Sequence, residues 1–289
     1  MNKKLLIIDA NSLIYRCFHA LPPFTDKEGR PTGALYGLAS VLIKIFREQM
    51  PTHIVAFFDR PEPTFRKEMY KEYKGQRPPA PDELKSQIIE AHNLFENFSV
   101  KTFEIPGFEA DDLIGTAVEK FKNEPELKIV VLTGDLDALQ LIDNGKIIIE
   151  TFKKGISDTI IYDAEAVKNR FGILPKQIPD YKGLVGDQSD NIKGVNGIGP
   201  KTASPLIEKY GSLENFLEEG QNEKAYKKIF EAQETAKLSK ELAIIRRDAP
   251  LEIKNLDEIQ HQGLQKEKIN GYFEKLGFKT LINRINGQQ

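Results

Sequence analysis

Three short apolar runs in this chain each stop on a carboxylate: Leu5-Leu6-Ile7-Ile8-Asp9, Ile54-Val55-Ala56-Phe57-Phe58-Asp59 and Ile129-Val130-Val131-Leu132-Thr133-Gly134-Asp135. Such runs, rich in β-branched residues, read as strands buried on both faces, the condition of parallel strands covered by helices. Ligands of open α/β sheets bind beyond the carboxyl ends of these strands. If the three are parallel neighbours, their terminal acids converge on one crevice. A fourth strand at 100–105 adds Glu109-Ala110-Asp111-Asp112 just past its end. Asp137 follows soon after Asp135, and Gly186-Asp187-Gln188-Ser189-Asp190-Asn191 brings further acids in a Gly-flanked loop.

The pattern around these runs sets the fold class: α/β, with a mostly parallel sheet flanked by helices, followed by a helical region. Strands are predicted at 4–8, 53–58, 100–105 and 128–133, with a further strand or hairpin in 146–161. Helices are predicted at about 11–20, 33–49, 82–98 and 109–122. Pro81-Asp82-Glu83 opens the third of these with first-turn acids that complement the helix dipole. From about 163 the strand signal disappears. Asp163 can cap a helix that ends before Gly172, and helical segments punctuated by Gly and Pro continue onward. The chain therefore divides into an α/β domain over 1–162 and a helical region over 163–289.

Charge does not advertise a nucleic-acid binder, since the formal net charge is −2. A chain that spends carboxylates on cations can still present a basic face. No apolar run approaches the roughly 18 residues of a membrane span, and the opening run is too short for a secretory signal. Cys17, the single cysteine, excludes an internal disulfide framework and a cysteine-based zinc site, and suits a cytoplasmic protein. At helical spacing from Leu13, Ile14 and Leu21, it reads as core. His19, His53, His92 and His261 are scattered and read as structural.

Each acid alone reads as a turn former or a helix cap. The set does not. So many carboxylates in one crevice would repel one another and raise one another's pKa values unless cations neutralised them. Oxygen donors without His or Cys select hard ions such as Mg²⁺ or Mn²⁺. Paired ions roughly 3.5–4 Å apart are a known device for phosphodiester cleavage.

With these residues in view, the chain resembles the 5′ nucleases, a family that includes the N-terminal domain of bacterial DNA polymerase I, phage 5′-exonucleases and flap endonucleases. The resemblance rests on Leu6-Ile7-Ile8-Asp9, Phe58-Asp59 with Thr64-Phe65-Arg66, Tyr73-Lys74-Gly75-Gln76-Arg77-Pro78, Glu109-Ala110-Asp111-Asp112, Thr133-Gly134-Asp135-Leu136-Asp137, the Gly186–Asn191 loop, and Gly194-Val195-Asn196-Gly197-Ile198-Gly199-Pro200-Lys201-Thr202-Ala203. The pieces follow the family's order and span almost the whole chain. They imply a PIN-like 5′ nuclease core and a first metal site drawing on Asp9, Asp59, Glu109, Asp111 and Asp112. A second site would draw on Asp135, Asp137, Asp187 and Asp190. Leu136 stands where family members commonly have Lys, and Pro205, inside a presumed helix, should bend it or shift its start. The chain ends where the nuclease portion of a polymerase I would end, so it is either free-standing or part of a longer protein.

Between 60 and 98 the resemblance places the family's arch. Its first half interleaves Arg60, Arg66, Lys67, Lys71, Lys74 and Arg77 with Phe65, Tyr70 and Tyr73. From composition alone this is equally a solvated face, because Glu and Asp nearly balance the basic residues. The resemblance assigns Lys74 and Arg77 to the scissile phosphate, and Arg66, Tyr70, Tyr73 and Arg16 to DNA contacts. Gly194 and Gly199 have the spacing of a nucleotide-binding loop, but Pro200 precedes Lys201 and breaks that motif. A helix–hairpin–helix type element at about 184–218 fits better. Gly197 and Gly199 would let a phosphate approach, with Lys201, Thr202 and a helix N-terminus as donors. Family members sometimes bind K⁺ here.

The expected function is a structure-selective 5′-3′ exonuclease and flap endonuclease in DNA replication and repair, using two Mg²⁺ or Mn²⁺ ions. Expected partners are DNA with a 5′ flap, nick or RNA primer end and a DNA polymerase in cis or in trans. No membrane partner is expected, and the chain should act as a monomer. Two alternatives stand beside this: a catalytically silent DNA-binding or polymerase-accessory module on the same fold, and a nucleotide hydrolase.

Overall fold

The computed structural model describes residues 3–143 and 145–287. A six-stranded sheet comprises β1 (Lys3–Asp9), β2 (His53–Phe57), β3 (Lys101–Phe103), β4 (Leu127–Leu132), β5 (Ile147–Lys154) and β6 (Asp158–Tyr162), in the order β3-β2-β1-β4-β5-β6. Neighbours are parallel except in the β5–β6 hairpin. The chain builds outward from β1 through β2 and β3, then returns to lay β4 against the free edge of β1. The order reverses between β1 and β4, and a crevice opens there beyond the strand ends.

Alternate residues of the central strands serve two cores, as the period of two requires. Leu5, Ile7, Val55, Phe57, Ile129 and Val131 face α5 (Ala110–Phe121) and the helices that follow the sheet. Leu6, Ile8, Ile54, Ala56, Val130 and Leu132 face α1 (Ala10–Ala20), α2 (Gly33–Glu48) and α4 (Asp82–Asn97). Between β2 and α4 lies the short α3 (Phe65–Met69), and the chain then passes through Arg77–Pro81 into α4.

The helical region begins with α6 (Ala164–Phe171). Asp163 caps it by accepting from the Ala166 N–H at 2.8 Å, and Gly172 ends it at φ +74°. Next come α7 (Ile178–Val185), α8 (Pro200–Tyr210), α9 (Leu213–Glu219), α10 (Tyr226–Glu231) and α11 (Gln233–Ala243). Helix α8 starts at Pro200 and continues through Pro205, so the expected shift of its start does not occur. The hydrogen bond Pro205 cannot make would have gone to Lys201, and both residues are exposed, so water can serve that carbonyl. Beyond α11 the chain passes the start of α5, where the Arg246 N–H meets Asp112, and pairs Gln260 with His53 at the sheet. It then places α12 (Lys266–Leu276) and α13 (Lys279–Asn286) in the second core. No helix among the described residues is long and apolar enough to cross a membrane. Cys17 is fully buried in that second core, and none of the histidines lines the crevice.

Candidate metal centre and nucleic-acid interface

The crevice beyond β1, β2 and β4 has a volume of about 1000 Å³ and is lined by Asp9, Asp59, Glu109, Asp111, Asp135 and Asp187, together with Lys74, Arg77 and Lys182. Backbone geometry fixes its acids. Asp9 closes β1 and caps α1, accepting from the Ser12 N–H at 2.9 Å while the Thr133 hydroxyl donates to its other oxygen at 2.7 Å. The same Thr133 oxygen accepts from the Asp135 N–H at 3.0 Å, tying the ends of β1 and β4 together. Asp59 accepts from the Ala110 N–H at 2.7 Å, at the start of α5.

One of the crevice's acids lacks a partner. Asp111 Oδ1 is buried and has no hydrogen-bond partner, a cost a protein tolerates where something else will bind. Burial first, then the charges of Asp135 and Asp9, push the Asp111 carboxyl well above the carboxylate range. Burial and the neighbouring Asp59 raise Asp9 to about 7. Asp59 opens to the crevice on one side, yet the crowding around it strips away bulk water and raises its carboxyl too. Burial likewise raises Asp135, against the pull of Lys182.

The second group is tied up by cations of the chain itself. The Lys182 ammonium contacts both Asp137 and Asp187. Although burial works the other way, that contact and the bonds from Ser189 hold the Asp187 carboxyl below its ordinary value. Lys74 Nζ donates to Glu109 at 2.9 Å and lies 3.8 Å from Asp190, and Arg77 pairs with Asp190. Burial pulls the Lys74 ammonium down, but the charges of Glu109 and Asp190 outweigh it and raise it. Lys74 adopts φ +52°, with its N–H donating to the Asp190 carbonyl at 2.9 Å. The segment carrying Lys74 and Arg77 is thus docked on the Asp187–Asn191 loop. Among the described residues no three His, Cys, Asp or Glu side chains yet close round one point at ligand distance. The acids line the walls, and the lysines stand between them.

Four of the expected site residues are engaged by protein partners. Asp112 is fully buried behind the crevice: its oxygens accept from both Arg66 terminal nitrogens at 2.7 and 2.8 Å, from the Glu109 N–H at 3.1 Å and from the Arg246 N–H at 2.9 Å. Arg66 is 2% exposed and also donates to the carbonyls of Leu242 and Ile244. Tyr73 is buried, its hydroxyl 3.0 Å from Asp190 and 3.1 Å from Glu109. Arg16 turns away from the crevice to the Gly155 carbonyl at 2.9 Å and stacks over Phe152.

Tyr70 lies at the outer edge, its hydroxyl on Glu72 and Lys193 over its ring. The sequence reading missed Lys182, which from sequence is an ordinary polar position of a helix. Its spacing before Gly186-Asp187 was the only available signal.

The second acid group runs directly into the glycine turn. Gly194, at φ +61°, packs so closely on Gly186 that a Cβ would lie 2.3 Å from the Gly186 nitrogen. Gly197 is at φ +71°, and a Cβ on Gly199 would meet nothing within 4 Å. Lys201 is exposed and Thr202 half-buried in the first turn of α8. The geometry is a helix, a tight turn and a helix, with Gly199 open and the Lys228 ammonium lying against Gly197.

A crevice of clustered acids at the switch point of a parallel sheet, with a glycine turn beside it, describes a nuclease of the α/β class. Residues 4–172 match the family model of the 5′-3′ exonuclease N-terminal resolvase-like domain, and residues 173–267 that of the 5′-3′ exonuclease C-terminal SAM fold. The chain is 36% identical over 287 residues to a 5′-3′ exonuclease of Aquifex aeolicus, covering 98% of this chain and 96% of that one. It is 42% identical over 288 residues to DNA polymerase I of Bacillus caldotenax, covering 99% of this chain but 32% of the polymerase, so it spans about a third of that relative's length. A crystal structure of the bacteriophage T5 D15 flap endonuclease, a complex with DNA and metal ions, shares the fold with a TM-score of 0.66 at 19% identity over 98% of both chains. The chain belongs to the 5′-3′ exonuclease family of nucleases.

Proposed function

We propose that this chain is a structure-selective 5′-3′ exonuclease and 5′ flap endonuclease that uses two divalent cations, in primer removal and repair of DNA. The observation that carries the reading is the unpartnered, buried Asp111 oxygen among acids whose carboxyls are raised. A protein keeps such charges together only when cations offset them. Asp9, Asp59, Glu109 and Asp111 would hold one ion, and Asp135, Asp137, Asp187 and Asp190 the other. The all-oxygen donor set suits Mg²⁺ or Mn²⁺. When bound, such ions supply positive charge to the scissile phosphate and lower the pKa of a water molecule.

The chain's own residues do the rest. Lys74 and Arg77, on the docked arch segment, would bring fixed positive charge to the phosphate as negative charge develops on it. Gly197, Gly199, Lys201 and Thr202 would grip the duplex backbone, with K⁺ as a candidate bridge to phosphate. Recognition of backbone rather than base sequence follows, because the groups facing outward are ammonium groups and backbone amides. A DNA polymerase joined in cis, as in the polymerase I relatives, or acting in trans, would supply the flap. The test is an end-labelled 5′ flap incubated with the protein in Mg²⁺ or in chelator. Short 5′ products only with Mg²⁺ are expected; an intact flap in Mg²⁺ and in Mn²⁺ would favour the silent DNA-binding module instead.

A further inference from the structure

Lys182 projects from α7 into the gap between carboxylates that come from separate parts of the chain, Asp137 after β4 and Asp187 after α7, and its ammonium touches both. All three side chains are largely buried, Lys182 at 14% exposed and the acids at 11% and 17%. Lys74, by contrast, shares its work: Glu109 and Asp190 also lie within hydrogen-bond distance of the Tyr73 hydroxyl, and Asp190 also pairs with Arg77. Asp137 has no such second donor among the side-chain contacts of the described residues.

An ammonium and a divalent cation would compete for the same carboxylate oxygens, and like charges at contact distance repel strongly where water is scarce. We infer that Lys182 is a built-in counter-ion for the second acid group: it holds Asp137 and Asp187 together in the ion-free protein and is exchanged for the cation on binding. The inference rests on the two-cation reading above. It assigns Lys182 a positioning role toward the chain's own acids. Lysine suits the task, as a compact point charge on a flexible stem that can leave without disturbing the helix that carries it.

Two effects of opposite sign follow from removing the ammonium. The ion-free protein should lose stability, because facing carboxylates are left unneutralised, while cation uptake should tighten, because the competitor is gone. The test uses the whole chain without DNA, as wild type, Lys182→Met, Lys182→Gln and Lys182→Arg. Mn²⁺ binding is followed by calorimetry or by loss of the free-ion paramagnetic resonance signal, and melting is recorded in chelator. Lys182→Met and Lys182→Gln should melt below wild type in chelator and bind the second Mn²⁺ at about tenfold lower concentration. Lys182→Arg, which keeps the charge, should show no tightening. Normal two-ion uptake by wild type with an unchanged or weakened midpoint in both neutral variants would overturn the counter-ion role alone. No Mn²⁺ uptake by wild type would overturn the two-cation reading and this inference with it.

Discussion

Asp111 and Asp112 are adjacent residues in the first turn of α5, yet one faces the crevice and the other the clamp behind it. On the crevice side, Asp111 carries an oxygen with no partner. On the clamp side, Asp112 is fully buried and accepts from Arg66, Glu109 and Arg246. The difference lies in what the rest of the chain brings to each carboxylate, not in the carboxylates. A satisfied buried charge holds structure together, whereas an unsatisfied one leaves room for a cation.

Substitutions at this pair probe the distinction directly. Asp111→Asn should reduce flap cleavage to background while leaving the metal-free melting temperature equal or higher, since it removes an unpaired buried charge. Cleavage near the wild-type rate in saturating Mg²⁺ would erase the proposed division. Asp112→Asn should do the reverse, lowering folding stability by about 3–5 kcal/mol because Arg66 is left buried without its partner. Urea unfolding would measure this, and the folded fraction should still cleave; a stable but inactive Asp112→Asn would move that residue into the metal site.

Lys74 stands at the border between the two regions. Lys74→Ala should slow single-turnover cleavage by about 10²–10³, the range for losing one preorganised donor, with a smaller change in flap affinity. Lost affinity at an unchanged rate would reduce Lys74 to a binding contact.

Acidity offers a test on the crevice alone. Asp9, Asp111, Asp59 and Asp135 have folded-state pKa values above their unfolded ones. The native protein therefore binds more protons than the unfolded chain between about pH 4, the ordinary carboxylate range, and the raised values. Metal-free stability should fall as pH rises through this window, to about 7 for Asp9. The gain in melting temperature on adding Mg²⁺ should grow over the same range. A metal-free melting temperature that rises from pH 5 to 7 would show that these acids are already neutralised.

Smallest of the expected effects is that of Lys201→Ala in the glycine turn, which should lower the slope of log affinity against log salt by about 0.9. Duplex-containing substrates should weaken more than single strands; equal losses on both would place the duplex grip elsewhere.

The sheet and its acids were legible because local pattern encodes them. Leu5 to Ile8 and Ile129 to Leu132 are covered on both faces, so each strand is a nearly unbroken apolar run with a carboxylate beyond it. What separates Asp112 from Asp111 was not legible, because Arg66 precedes it by 46 residues and Arg246 follows it by 134. The burial of Arg66 and Tyr73 against carboxylates was not legible for the same reason: a basic and aromatic stretch looks alike whether it faces a nucleic acid or a buried carboxylate. Pro205 carried a true local cost, but an exposed helix face absorbed it.

The clamp also imposes an order in time. The Leu242 and Ile244 carbonyls hold Arg66, the Arg246 N–H completes Asp112, and Gln140 ties the Asp137 carbonyl to Ala243 and Ile245. Helices α12 and α13 then close the opposite core through Phe273, Leu281 and Ile285. During synthesis the acids of β1 and β2 leave the ribosome early, but the residues that lock their surroundings leave late. A nascent chain therefore carries most of the crevice's carboxylates before it carries the residues 242–246 that complete the frame behind them.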